Sequence, residues 1–321
     1  MKPNMLLIGG ATPRMMERFE TAFTVHQASE ISDLTGWLKD NGAKIEAVAT
    51  NGHDGVKPEI MSALSALKII SCYGVGYDAI DTAVATERNI MVTHTPGVLN
   101  ADVANLAVLL MLASSRCLIR DDKWVRSGNW ANKGNAPLTR SIENKKVGIL
   151  GLGRIGGEIA RKLEVFNCEI VYHTRTPKPD VPYTYYDDLA KMAQDVDYMI
   201  AITPGGPSTN KIVNRKVLEA LGPEGTFVNV ARGSVVDEAE LVSALQDGRL
   251  GWAGLDVFAD EPNAPTQLFE LENVTLTPHV ASATVETRQA MGDLTVDNLL
   301  QFFKDGSVMT PVPECADMNK T

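Results

Sequence analysis

The chain has 321 residues, 44% hydrophobic and 22% charged, a globular composition that argues against disorder and a length sufficient for two domains, each burying its own core. A formal net charge of −10 argues against a general binder of nucleic acid or of anionic membrane, so any anionic ligand needs positive charge gathered locally. Four scattered cysteines, Cys72, Cys117, Cys168 and Cys315, lack CxxC spacing and a nearby histidine at metal-ligand distance, which predicts a reduced, cytoplasmic chain without a zinc site.

The first apolar run, Met5–Ile8, is too short for a signal-peptide core and reads as a strand. Further strands are predicted at Ile45–Thr50, Lys68–Cys72 and Ile90–Thr93, with helices between them at Pro13–Thr21 and Ile31–Asp40. Thr95-Pro96-Gly97 ends this series. A long apolar helix follows, from about Ala101 to Arg126, its circumference too apolar for a surface helix. Its most apolar part, Val103 to Ala113, falls short of the roughly 20 residues a bilayer requires, so no membrane segment is expected. Ser127–Ser141 reads as a loop around Trp130.

A second series of strands begins at Lys146–Leu150 and continues with Glu169–His173, Tyr198–Thr203, Thr226–Asn229, Gly251–Asp256 and Val274–Thr277. Helices are predicted at Ile155–Phe166, Arg215–Leu221, Ala239–Gln246 and Val285–Lys304, the third opened by Asp237 with Glu240 in a capping-box pattern. Strands alternating with helices imply an α/β chain with parallel sheets.

One motif in the second series carries chemistry by its position. The strand Lys146–Leu150 runs directly into Gly151-Leu152-Gly153-Arg154-Ile155-Gly156, and a helix follows. Between a strand and a helix, GxGxxG is the dinucleotide fingerprint: glycines for the turn, for the diphosphate and for helix packing, with free N–H groups at the helix start. An NAD-specific site places an acid at the end of the next strand to hold the ribose. Here that strand ends in Thr174-Arg175-Thr176-Pro177-Lys178. Arg175 can fork onto a 2′-phosphate and Thr174 and Thr176 can donate hydroxyl hydrogen bonds, so NADP is the expected cofactor and NAD the second choice.

Three downstream segments complete the pattern: Asn229-Val230-Ala231-Arg232-Gly233, Asp256-Val257-Phe258 with Glu261-Pro262, and Pro278-His279. With the glycine motif and Gly74-Val75-Gly76-Tyr77-Asp78, they make the chain resemble the D-isomer-specific 2-hydroxyacid dehydrogenase family over nearly its whole length. Within that family it is most similar to the glyoxylate/hydroxypyruvate and hydroxyphenylpyruvate reductases. The resemblance implies two Rossmann-like lobes with an interdomain cleft: residues 1–99 with 286–321 for substrate, and residues 100–285 for the dinucleotide.

The resemblance also implies roles. Arg232 would hold the keto acid and polarise its carbonyl, and His279 would donate the proton as hydride arrives. Glu261, hydrogen-bonded to the imidazole, would orient the ring and stabilise the imidazolium. Asp256 would meet the nicotinamide carboxamide, and Thr203, Pro204, Val230 and Ala231 would line the cofactor groove. The N–H groups of Val75 and Gly76 would take the substrate carboxylate, with Ser282 a further contact. The other histidines, His26, His53, His94 and His173, read as structural or peripheral. A homodimer is implied, with Trp130 reaching a neighbouring subunit. Asn105 departs from the family, many of whose members have an acid there. A dinucleotide-sensing corepressor on the same fold is the reading from a different class, and NADPH oxidation by hydroxypyruvate separates the two.

Overall fold

A computed structural model describes residues 2–319. The chain divides into two compact units, residues 1–99 with 283–321, and residues 100–282. In the first stretch come β1 (Asn4–Leu7), α1 (Pro13–Ala22), β2 (Thr24–Gln27), α2 (Leu34–Asn41), β3 (Ile45–Asn51), α3 (Pro58–Ala63), β4 (Ile69–Tyr73), α4 (Thr82–Glu87) and β5 (Met91–Thr93). The second unit contains α5 (Asn100–Ser115), α6 (Leu118–Arg126), α7 (Asn129–Lys133), β6 (Lys146–Leu150), α8 (Arg154–Glu164), β7 (Glu169–His173), β8 (Thr184–Tyr185) and α9 (Leu189–Asp195). It continues with β9 (Tyr198–Ala201), α10 (Arg215–Leu221), β10 (Thr226–Asn229), α11 (Glu238–Gln246), β11 (Trp252–Leu255) and β12 (Val274–Leu276). The chain then returns to the first unit with α12 (Val285–Asp305).

Among the described residues the first unit holds a five-stranded parallel sheet in the order β2-β1-β3-β4-β5. Met5, Leu6, Ile45, Ile69 and Ile70 are buried in its core. Thr12 caps α1 by accepting from the Met15 N–H, Pro13 occupies the first turn, and Met15 and Phe19 form the buried face. The returning α12 lies on β4, where the Ser71 hydroxyl donates to the Thr295 carbonyl at 2.9 Å.

The second unit holds a seven-stranded parallel sheet in the order β12-β11-β10-β9-β6-β7-β8. Strands β9 and β10 are buried throughout, as expected where helices cover both faces. Helix α5 packs against α8 and β11. A Cβ at Gly254 would lie 3.0 Å from the Leu110 Cβ, so the missing side chain is what admits the helix.

The structure corrects four sequence expectations. The long helix predicted for Ala101–Arg126 is two helices, α5 and α6, bent by 60°. The Ser115 carbonyl accepts from the Arg140 N–H at 3.1 Å, a partner from outside the helix, and Cys117 turns the chain at φ 47°. The Ser115 hydroxyl bonds outward to Tyr198 at 2.8 Å. The predicted loop Ser127–Ser141 contains the short α7. The capping box at α11 is not formed: the Asp237 carboxylate accepts from Lys211 at 3.2 Å instead of from the helix, and Glu240 faces Arg249. The second crossing between units lies at Ser282/Ala283 rather than after residue 285, because Thr284 caps α12 by accepting from the Thr287 N–H. Among the described residues no single helix is long and apolar enough to cross a membrane; α5 and α6 pass such a test only as a bent pair, and much of α5 is buried.

Candidate active site

The sheet of the second unit sets its site residues in a row. Along its carboxyl edge, from β12 to β7, follow His279, Asp256 with Glu261, Arg232, Thr203 with Pro204, the glycine turn, and Thr174–Thr176. This is the edge where open parallel sheets bind ligands.

The glycine turn fits a dinucleotide by what it leaves out. Gly151 has φ +103°, and a Cβ there would lie 2.8 Å from the Thr203 nitrogen. At Gly156 a Cβ would meet the Gly151 carbonyl oxygen at 2.2 Å, so α8 packs against the turn only without one. Gly153, by contrast, has nothing within 4 Å of its Cβ position, an open place at the N-terminus of α8 with room for a diphosphate. Leu152 is buried, and Arg154 and Ile155 open the helix. A groove beside the turn carries three cations, Arg154, Arg161 and Lys178, and one carboxylate, Glu164. Arg161 pairs with Glu158, and Glu164 accepts from the Tyr183 hydroxyl at 2.7 Å.

After β7, Arg175 and Thr176 are exposed, and among the described residues no carboxylate pairs with Arg175. The Thr174 hydroxyl donates to the Thr176 carbonyl at 2.7 Å and shapes the segment. After β9, the Thr209 hydroxyl donates to the Pro204 carbonyl at 2.7 Å and fixes the Thr203-Pro204 turn.

Beyond β10, Asn229 builds the turn that presents Arg232. Its amide oxygen accepts from the Ala231 N–H and its NH₂ donates to the Arg232 carbonyl, both at 3.0 Å. Val230 and Ala231 are buried beneath, and the Arg232 guanidinium is half-buried, one nitrogen donating to the Ala231 carbonyl at 2.7 Å. A Cβ at Gly233 would fall 1.9 Å from the Phe258 carbonyl carbon, so the turns after β10 and β11 pack backbone to backbone.

His279 Nδ1 and Glu261 Oε2 are 2.6 Å apart, so Nδ1 carries the proton donated to the carboxylate. The other Glu261 oxygen accepts from the Phe258 N–H at 3.0 Å. The Glu261 side chain is 20% exposed and that of His279 45%, an imidazole anchored on one nitrogen and open on the rest. His279 adopts φ 53°, a left-handed backbone uncommon outside glycine, and its N–H donates to the Asp256 carbonyl at 2.8 Å.

Asp256 supports that turn. It is fully buried, and its carboxylate accepts from the Thr277 hydroxyl at 2.6 Å, the Val280 N–H at 2.8 Å and the Ala281 N–H at 3.0 Å. In this structure both oxygens are engaged by residues 277–281, and Asp256 caps the strand end. Burial pushes its carboxyl above the usual range, opposed by these hydrogen bonds. Ser282 is half-buried at the end of the unit.

Val75 and Gly76 belong to the first unit, in the turn after β4. His94 Nδ1 donates to the Val75 carbonyl at 2.9 Å and the Thr95 N–H donates to the Gly74 carbonyl at 2.8 Å. The Tyr77 hydroxyl donates to Glu314 at 3.1 Å; burial first, and then Glu314, holds it well above the usual phenol range. Among the described residues nothing accepts from the Val75 or Gly76 N–H. Sequence reasoning gave no role to Asn229 or Thr277, which position others, and read His94 only as structural or peripheral. Asn229 stands inside a quoted motif and Thr277 directly before Pro278-His279.

Comparison with known proteins places the chain. Residues 108–281 match the NAD binding domain of the D-isomer specific 2-hydroxyacid dehydrogenases. Glyoxylate/hydroxypyruvate reductase A of Arabidopsis thaliana is 48% identical over 275 residues, 86% of this chain and 88% of the relative. The 2-ketogluconate reductase of Gluconobacter oxydans is 43% identical over 311 residues, 97% of this chain and 99% of the relative. The crystal structure of an NADPH-dependent glyoxylate/hydroxypyruvate reductase from Sinorhizobium meliloti, in complex with NADP and malonate, has a TM-score of 0.93 and 45% identity, covering 98% of each chain.

Proposed function

The chain belongs to the D-isomer-specific 2-hydroxyacid dehydrogenase family, and on that premise we propose that it reduces small 2-keto acids, glyoxylate and hydroxypyruvate foremost, to 2-hydroxy acids with NADPH. The observation that carries this reading is the 2.6 Å pairing of His279 with Glu261, on the same strand-end row as Arg232 and the glycine turn.

Bound in the second unit, NADPH supplies the hydride that reduces the carbonyl carbon. The protein's own residues do the rest. Arg232 pairs with the substrate carboxylate and polarises the keto oxygen, a task suited to a planar guanidinium that stays charged. His279 delivers a proton to that oxygen from Nε2, since Nδ1 is held by Glu261. Glu261 orients the imidazole and stabilises its protonated form before transfer. Asp256 and Thr277 hold the turn that carries His279. Ser282 is a further substrate contact, and in the first unit the Val75 and Gly76 N–H groups are suited to a carboxylate. Gly151–Gly156, Thr203, Pro204, Val230 and Ala231 form the cofactor groove. The unpaired Arg175 and the cations Arg154 and Lys178 support NADPH over NADH.

Leu109, Leu118, Ile119, Val125, Trp130 and Leu138 are exposed apolar side chains between positions 109 and 138, the stretch we assign to a homodimer interface. The scattered cysteines, none of them in a disulfide among the described residues, support a cytoplasmic location. The test is NADPH oxidation followed by absorbance with glyoxylate, hydroxypyruvate, hydroxyphenylpyruvate and 2-ketogluconate, repeated with NADH. Turnover of the two small acids with NADPH ahead of NADH is expected; no turnover of any keto acid with either cofactor overturns the reading.

A further inference from the structure

The segment 174–178 leaves the sheet between two tyrosines. Tyr172 in β7 is 1% exposed, and its register partner across the ladder is Tyr185 in the two-residue strand β8. Their rings lie 5.4 Å apart. The two hydroxyls reach the two ends of the segment. Tyr185 Oη donates to the Thr174 carbonyl at 3.2 Å. Tyr172 Oη accepts from the Lys178 N–H at 2.8 Å and donates to the Lys178 carbonyl at 3.3 Å. Between these ties, the Thr174 hydroxyl closes onto the Thr176 carbonyl, and Pro177 and Pro179 stiffen the backbone on either side of Lys178. Arg175 stands exposed within this braced segment.

We infer that Tyr172 and Tyr185 are positioning residues for the 2′-phosphate of the cofactor: their hydroxyls clasp both ends of residues 174–178 and so present Arg175 in one arrangement. The inference rests on the NADPH reading above. An arginine on a slack segment must order its backbone when it grips a phosphate, and that ordering weakens binding; a segment ordered beforehand avoids the loss. NADH lacks the phosphate, so the clasp matters little to it. A tyrosine pair that merely filled the sheet edge would serve both cofactors alike. Strand β8, two residues long, has a purpose on this account: it brings Tyr185 beside Tyr172.

Calorimetric titration of the full chain with NADPH, NADH and 2′-AMP, without keto acid, reads this directly. Tyr185→Phe and Tyr172→Phe should each weaken NADPH and 2′-AMP by roughly three- to tenfold, the range expected for losing one or two such hydrogen bonds, and leave NADH within about twofold. Tyr185 is the milder site, being half-buried, and carries the test if Tyr172→Phe fails to fold. In an Arg175→Ala background the tyrosine changes should add nothing further, because both act on one contact. If Arg175→Ala removes the NADPH preference but the phenylalanine variants keep it, or weaken both cofactors equally, the clasp is overturned and the cofactor reading stands. If Arg175→Ala itself leaves the preference intact, the cofactor reading falls and the clasp with it.

Discussion

The carboxyl edge of the seven-stranded sheet joins two different constructions. Around β6 the site is made by omission: Gly151 and Gly156 lack atoms that would strike neighbouring backbone, and Gly153 leaves open space. Around β10 to β12 it is made of side chains, each held by another: Arg232 on the turn ordered by Asn229, His279 by Glu261, and the His279 turn by Asp256 and Thr277. Holding a large anion takes backbone N–H groups and room. Moving a proton takes a few atoms kept in place before the substrate arrives. The first half should therefore fail when an atom is added, and the second when one is removed.

The largest effect should come from His279→Ala. Loss of a general acid typically costs about 10²- to 10⁴-fold, here in kcat, while NADPH affinity measured by titration stays unchanged. A fall in NADPH affinity of similar size would show that the two halves are not separable. Arg232→Lys keeps the charge but removes the fork; kcat/KM for hydroxypyruvate should fall by roughly 10²- to 10³-fold, with KM rising as kcat falls. An unchanged KM would contradict a carboxylate-binding role.

Gly153→Ala tests the other half. Its Cβ meets nothing in the structure, so the melting temperature should hold, yet it fills the place assigned to the diphosphate. NADPH and NADH should weaken together, by roughly tenfold or more, about 1.4 kcal/mol or above. Gly156→Ala, which collides with the Gly151 carbonyl, should lower the melting temperature as well. If Gly153→Ala binds both cofactors normally, the open space belongs to something else.

The same division explains what could be read from the sequence. The strands around the glycine turn, the fingerprint itself, and the strand-end positions of Arg232 and His279 all follow from neighbours within a few residues. What escaped depends on partners far along the chain. Helix α5 ends because the Arg140 N–H takes the Ser115 carbonyl, and no residue at 115–117 announces it. Asp237 has a helix-capping pattern, but Lys211 draws its carboxylate away. That Asp256 holds residues 277–281 appears only once the β11–β12 pairing brings them alongside. Strand β8 is too short to show any alternation, and only its pairing with β7 reveals it.

The smallest predicted effect probes how the chemical half is supported. Thr277→Val keeps nearly the same shape and removes the hydroxyl that donates to Asp256 at 2.6 Å. Burial is the main reason the Asp256 carboxyl titrates above its ordinary value of 3.8, and the Thr277 hydrogen bond is the first of the contacts that oppose it. A carboxyl raised by folding favours the folded state below its unfolded pKa, and that contribution is lost as pH rises through the folded pKa. At neutral pH the ionised carboxylate therefore depends on its donors, and losing one should destabilise the protein by roughly 1–3 kcal/mol in urea unfolding. At acid pH, below the folded-state pKa, the carboxyl is protonated, and the same substitution should matter less. An equal loss at both pH values would mean that the hydroxyl serves the packing of the turn rather than the charge, and His279 would then stand on a support insensitive to the ionisation of Asp256.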